Sequence, residues 1–470
     1  MKWLTLGPEI YFLAVGAVFL ILSMMRPNEK RDFSAGLFLA GLGVAVTLAS
    51  VRLEGSLFHG AYRVDLFSQL LKSLLSVGFF LLVCLCSSLN GIHEARHAEF
   101  YLFLATCTLG MMLLVSSLEL LTLYVALELA SYSLYALVPL RRGGGQQMEA
   151  GIKYFLSGIA TSALMLFGLA SLFAATQTTL ISELILKLPA LLNTPMAFIG
   201  LLLTLCGFFF KLALFPFHVW APSVYQGAAN QVTAFVATAT KATAMAMLVR
   251  LVSMSNGNTS LTHVLIALAI VSMTYGNLVA MVQKDFKRLL AYSAIAHAGY
   301  SLIGILSMNP TGYAAALFYA LAYLTMTFTC FLVIVKVAAD GRDVAIVQFA
   351  GLHRRSPLLA MALMVGVFSL GGIPPTIGFT GKFLVFNAAM EKGYFLLVLI
   401  AMINVVVSLY YYIQVVKAAF LLEPDEELPS IHLSTPATLL TIVMVVVIVV
   451  GGIWPSYLFE LARAAVQTLR

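Results

Sequence analysis

Gly207-Phe208-Phe209-Phe210-Lys211-Leu212-Ala213-Leu214-Phe215-Pro216-Phe217 sets one lysine and one proline in an otherwise apolar run, and that run reaches back to Met196 with no other charge. A helix rising 1.5 Å per residue needs about 20 apolar residues to cross a hydrocarbon core about 30 Å thick. The stretch therefore reads as a membrane span. A charged side chain at that depth costs a few kcal/mol and needs a partner or water. Proline removes a backbone donor and breaks or kinks the helix. A span that keeps both is built to do something besides cross the bilayer.

The rest of the chain agrees. Of 470 residues, 61% are hydrophobic and 10% charged, with mean hydropathy +0.98, whereas a soluble domain is about one quarter charged. Apolar runs predict about fourteen spans: 3–25, 33–51, 64–89, 98–117, 119–140, 151–175, 196–220, 228–252, 261–283, 288–308, 312–338, 356–387, 393–420 and 434–459. The expected fold is an all-α polytopic membrane protein with no separate soluble domain. The run from Met1 and Lys2 through Trp3 to Met25 is too long for a removed signal peptide and reads as a retained first span.

Net charge is +7, but Lys and Arg are scattered through short loops and form no basic run, which argues against nucleic acid and for orientation in a bilayer. Loops after odd-numbered spans hold about twelve of them, among them Arg141 and Arg142; loops after even-numbered spans, with Lys2 and Arg470 at the termini, hold about eight. By the positive-inside rule both termini are expected on the outer side. Cys84, Cys86, Cys107, Cys206 and Cys330 all lie in apolar runs without metal-site spacing. No phosphate loop, nucleophile elbow or haem motif occurs, so no bound cofactor or metal is expected.

Proline falls in mid-membrane twice, at Pro216 and at Gly371-Gly372-Ile373-Pro374-Pro375, and both spans are expected to break there. Broken helices at membrane depth commonly line a conducted path. The breaks occupy similar places in two consecutive five-span blocks, and an odd number of spans inverts the second block relative to the first. The division is 1–97 for an N-terminal three-helix segment, 98–252 for the first repeat, 253–420 for the second, inverted repeat, and 421–470 for a C-terminal helix.

Four charges stand at bilayer depth: Glu128 in span five, Lys211 in span seven, Lys241 in span eight and Lys382 just after the second break. A lysine moved to an apolar site holds its proton less tightly, and a nearby carboxylate restores the hold, so such a lysine can be switched. Glu128 approaching or leaving Lys211 would be one switch; a static buried ion pair is the bland alternative. His297 in span ten could relay protons, or could be a satisfied core histidine. Glu128 precedes Lys211 by 83 residues and His297 precedes Lys382 by 85, so the histidine holds the place of the glutamate in the second block. Lys153 and Lys287 lie nearer span ends and suit a secondary proton route or simple orientation equally well. Lys72, Glu119 and His218 rank below these.

With these residues in place, the chain resembles membrane subunit N of NADH–quinone oxidoreductase, respiratory complex I, and through it the Mrp-type antiporter subunits. The resemblance rests on Phe210-Lys211-Leu212-Ala213-Leu214-Phe215-Pro216-Phe217-His218-Val219-Trp220-Ala221-Pro222, on Val224-Tyr225-Gln226-Gly227, on His297-Ala298-Gly299-Tyr300, and on Gly372-Ile373-Pro374-Pro375 with Gly381-Lys382-Phe383. It implies a proton-translocating subunit of a bacterial inner (plasma) membrane complex, with Glu128 and Lys211 as the charge pair, Lys241 linking to the central axis and Lys382 facing the outlet. NADH, FMN, iron–sulfur clusters and quinone would belong to partner subunits. The partners would be other membrane subunits, including antiporter-like sisters. Other readings are a cation/proton antiporter subunit of an Mrp-type or membrane-bound hydrogenase complex, and a structural assembly subunit whose buried charges only hold helices together. One departure is local: the family run Ala-Pro-x-Pro-Val is here Ala228-Ala229-Asn230-Gln231-Val232.

Overall fold

The structure, a computed structural model, describes residues 2–143, 145–255, 257–424 and 429–469; Met1 and Arg470, weighed above for the first span and for orientation, lie outside the described residues. Helices α1 (Gly7–Ser23), α2 (Glu29–Ser50) and α3 (Leu66–Leu85) open the chain, with a small hairpin of β1 (Gly55–Leu57) and β2 (Tyr62–Val64) between the last two. The hairpin is antiparallel, Gly55 opposite Val64 and Leu57 opposite Tyr62. There follow α4 (His97–Ser116), α5 (Leu120–Leu137), α6 (Gln146–Thr176), α7 (Ile181–Leu191), α8 (Pro195–Leu212), α9 (Trp220–Gly227), α10 (Asn230–Ala237) and α11 (Ala239–Ser253). The second half contains α12 (Thr259–Ala280), α13 (Phe286–Leu306), α14 (Pro310–Val337), α15 (Leu352–Arg355), α16 (Pro357–Gly371), α17 (Ile377–Glu391), α18 (Phe395–Leu421), α19 (Thr435–Ile453) and α20 (Ser456–Gln467).

Among the described residues, thirteen helices are long and apolar enough to cross a membrane. The chain is a multi-pass, almost wholly helical membrane protein. The expected twelfth span is the one not in that number, because its break divides it into α16 and α17. Polar caps start several spans where the backbone leaves the apolar zone. Asp65 accepts from the Ser68 N–H at 2.8 Å, Glu119 from the Thr122 N–H at 2.7 Å, and Asp285 from the Arg288 N–H at 2.8 Å.

The spans depart from the sequence expectation in three places. Span seven ends at Leu212, four residues ahead of Pro216, because Ala213 turns left-handed (φ 59°, ψ 40°) and its N–H closes on the Phe209 and Phe210 carbonyls. The second break, by contrast, falls within the expected Gly371–Pro375 run: α16 stops at Gly371, and Gly372 (φ 83°) makes the turn ahead of the two prolines. Span eight, expected continuous, is interrupted at Thr238 (φ −114°, ψ −82°). The Thr238 and Thr240 hydroxyls donate to the Ala234 and Val236 carbonyls at 2.6 and 2.7 Å. Such back-bonding competes with the helical ladder and bends it. Finally, the last span stops at Ile453, and a separate amphipathic helix, α20, follows Trp454 and Pro455.

The three most enclosed spans are central: the windows of α10–α11, α13 and α14 are 100%, 94% and 94% buried within the chain. Peripheral helices turn apolar side chains outward instead, including Phe167 on α6, Val406 on α18 and Val443 on α19. Successive connections alternate between two faces. Arg63, Leu118, Ile181 and Asn309, from four different connections, line one vestibule with Arg250 near the end of α11. On the opposite face, Ile92 pairs with Arg141, and Arg141 reaches Gln226 and Asp343.

Candidate functional site

Lys211 occupies the last turn of α8 and is 6% exposed. Its Nζ has no hydrogen-bond partner. It borders a cavity of about 10 Å³ shared with Leu127, Leu134, Thr240 and Thr243, close to the minimum that holds one water. Glu128, on α5, is among the charges whose field reaches it. Yet the glutamate is turned elsewhere: the Ser162 hydroxyl on α6 donates to Glu128 Oε1 at 2.6 Å. The expected charge pair is thus present as neighbours whose side chains are not in contact.

Two other lysines sit on helix ends. Breaking a helix frees its last carbonyls, which must find donors when no water reaches them. Lys241, fully buried near the start of α11, donates to the Leu212 carbonyl at 3.0 Å, where α8 stops. Lys382, on α17, donates to the Leu370 and Gly371 carbonyls at 2.8 and 3.0 Å, where α16 stops. Each positive charge also faces the negative end of a helix dipole. Aromatic faces complete both seats, Tyr225 lying 5.7 Å from Lys241 Nζ and Tyr300 4.9 Å from Lys382 Nζ.

His297 lies between these seats on α13, with Tyr319 OH 2.6 Å from Nδ1 and Tyr412 OH 3.3 Å from Nε2. Tyr412 OH is in turn 2.5 Å from Ser293 Oγ. An imidazole bonded at both nitrogens by groups that can donate and accept is wired to pass a proton through. The structure therefore places Glu128, Lys211, Lys241, His297 and Lys382 at buried positions in or against the central helices.

The two secondary candidates part company. Lys287 is fully buried, 2.7 Å from Asp343 Oδ1, and donates to the Gln226 and Ala228 carbonyls at 3.1 and 3.0 Å. Arg141 joins the same carboxylate at 3.0 Å and the Gln226 carbonyl at 2.6 Å. Lys153 instead stands on the exposed side of α6, paired with Glu149 at 2.5 Å, and is not brought to the others. A charge one turn apart from its partner on an outward helix face needs no site to explain it.

Sequence reasoning missed Asp343, which organises Lys287 and Arg141 from an extended loop, and it treated Arg250 only as an orienting charge. Arg250 is 2% exposed and meets Asp65 Oδ2 at 3.2 Å. Its single apolar-flanked position in Met-Leu-Val-Arg-Leu-Val was the available signal. Among the described residues no three His, Cys, Asp or Glu side chains gather as a metal ion would require.

Residues 117–408, which hold both breaks and every buried lysine of the central helices, match the family described as NADH:quinone oxidoreductase/Mrp antiporter, TM. The chain belongs to that family. Along its whole length it is 56% identical to the NADH-quinone oxidoreductase subunit N 2 of Syntrophobacter fumaroxidans, covering 100% of both chains, and 41% identical to that of Opitutus terrae, covering 98% and 97%. A chain of respiratory complex I from Thermus thermophilus superposes with TM-score 0.84 at 34% identity, over 96% of this chain and 98% of that one. A chain of the Mrp complex from Dietzia sp. DQ12-45-1b reaches TM-score 0.87 at 20% identity over 99% and 97%, a likeness of fold. In this family member the helix ends at Leu212 and Gly371 are thus held by Lys241 of α11 and Lys382 of α17.

Proposed function

We propose that the chain is a proton-translocating membrane-arm subunit of an NADH–quinone oxidoreductase, passing protons along Glu128, Lys211, Lys241, His297 and Lys382 in response to quinone reduction in other subunits. The observation that carries this reading is Lys211: a buried ammonium with no hydrogen-bond partner, beside a carboxylate held by another group. A static ion pair would keep the two in contact, because each buried charge is costly alone. Separation within reach is what a switch requires. Whole-length similarity to proteins named subunit N supports the assignment to that complex.

On this reading the chain has no independent catalysis, and NADH, FMN, iron–sulfur clusters and quinone sit on partner subunits. Its partners are other membrane subunits, antiporter-like sisters among them, and the surrounding lipid. It lies in a bacterial inner membrane with both termini on the periplasmic side. The loop face of Arg141, Arg142, Lys284 and Lys287, richer in positive charge, then meets the cytoplasm. Residues 98–252 and 253–420 act as inverted halves, each with a break closed by a lysine.

Lys211→Met in the parent complex tests the role. Assembly and quinone reduction are expected with proton translocation steeply reduced. Undiminished translocation would overturn it, loss of assembly alone would favour a scaffold, and sodium-dependent exchange without quinone chemistry would favour an antiporter.

A further inference from the structure

A second group of buried charges lies outside the central helices, in the N-terminal three-helix segment. Glu9 in the first turn of α1 is 4% exposed and Lys72 on α3 is fully buried, and they meet at 2.5 Å. Tyr62, from strand β2, donates to the same carboxylate oxygen, Glu9 Oε1, at 2.6 Å. The other oxygen, Oε2, has no hydrogen-bond partner.

The pattern continues along α3. Gln69, Lys72 and Ser76 fall at i, i+3 and i+7, on one helix face, and all three are 0% exposed. Gln69 Oε1 and Ser76 Oγ are likewise without partners. Leaving a buried polar atom unpaired costs about 1–3 kcal/mol, and buried polar atoms are ordinarily met by water when protein does not meet them. Gln69 Oε1 and Ser76 Oγ on this stripe, with Glu9 Oε2 facing it from α1, are three such atoms, and a file of water would satisfy them. From Asp65 to Ser76 it rises about 16 Å, about half the hydrocarbon core.

The file begins at water. Asp65 caps α3 and lies 3.2 Å from Arg250 and 3.8 Å from Arg63. Both arginines line a vestibule of about 750 Å³. Arg250 belongs to α11, the helix that carries Lys241, and a Cβ placed on Gly78 of α3 would lie 3.4 Å from Ala239 of that helix. The segment is therefore packed against the helix that carries Lys241, and its Asp65 pairs with Arg250 of that helix.

We propose that Glu9, Tyr62 and Lys72 form an additional proton-exchange site, hydrated along Gln69 and Ser76 and opening at the Arg63 vestibule. It rests on the proton-translocating reading above. In the exchange the proton leaves Lys72 Nζ for Glu9, which turns the ion pair into an amine and a carboxylic acid. Glu9 then releases a proton to water at the Gln69 end of the file, and Lys72 takes one back from water at the Ser76 end. Tyr62 holds the carboxylate in place and is a positioning residue.

The test uses the assembled complex in proteoliposomes. The charge-neutral double variant Glu9→Gln/Lys72→Met is expected to assemble and reduce quinone while losing protons moved per quinone reduced. A wild-type proton count in the double variant, with Lys211→Met impaired, would overturn this site and leave the central reading intact. A wild-type count in Lys211→Met would remove both. A map of the wild-type complex that resolves ordered water provides a second readout, independent of any variant's assembly. Water bridging Glu9 Oε2, Gln69 Oε1 and Ser76 Oγ is expected, and a dry file overturns the site.

Discussion

The Ser162 hydroxyl donates to Glu128 Oε1 at 2.6 Å, while the Lys211 amine is without a hydrogen-bond partner. This is a charge-assisted hydrogen bond of the short, strong kind. Lys211 would offer the same carboxylate a charged donor, so Ser162 and Lys211 compete for it.

Ser162→Ala removes the competitor. Glu128 is then expected to turn onto Lys211 and the pair to lock, since a bias of about 1.4 kcal/mol already shifts a two-state population about tenfold. A map of the variant should show the carboxylate in contact with Lys211, and proton translocation should fall while quinone reduction persists. A carboxylate unmoved in the variant would refute the competition.

Gly372 supplies the second test. It turns with φ 83°, and an added Cβ would lie 3.0 Å from Lys382 Cδ and 3.3 Å from its Nζ. Gly372→Ala should cost about 1–2 kcal/mol for the left-handed turn and push Lys382 off the Leu370 and Gly371 carbonyls. Lower thermal stability of the complex, together with reduced proton translocation, is the expected result.

Asp343 neutralises the fully buried Lys287 as well as Arg141. Asp343→Ala should destabilise the protein by about 3–5 kcal/mol, the range for breaking a buried pair by removing one partner. Adding Lys287→Met should recover part of that loss, because the fully buried charge is then gone while Arg141, which is partly exposed, still lacks its carboxylate. Melting of the two variants in detergent measures both effects.

The lysines of the central helices were legible because a lone charge in an apolar run is conspicuous in one residue. Lys211 and Lys382 are each flanked by a proline signal as well. What those charges touch was not legible. Ser162 is one of three serines in α6, and nothing in its neighbourhood marks it as the partner of Glu128 across 34 residues. The interruption at Thr238 has neither glycine nor proline to announce it and arises from threonine back-bonds. Glu9 lies near the start of the first expected span and Asp343 in a loop, and neither position stands out in the sequence. Each becomes a site only when α3 or α13 brings a lysine to it.

Lys211→Arg tests the central claim most directly, with protons moved per quinone reduced measured in proteoliposomes. Arginine keeps the positive charge but does not release its proton in proteins. If Lys211 must give up and regain a proton, the arginine variant assembles, reduces quinone and loses translocation as Lys211→Met does. A wild-type proton count in Lys211→Arg would mean that the residue serves only as a fixed charge, and would contradict the account.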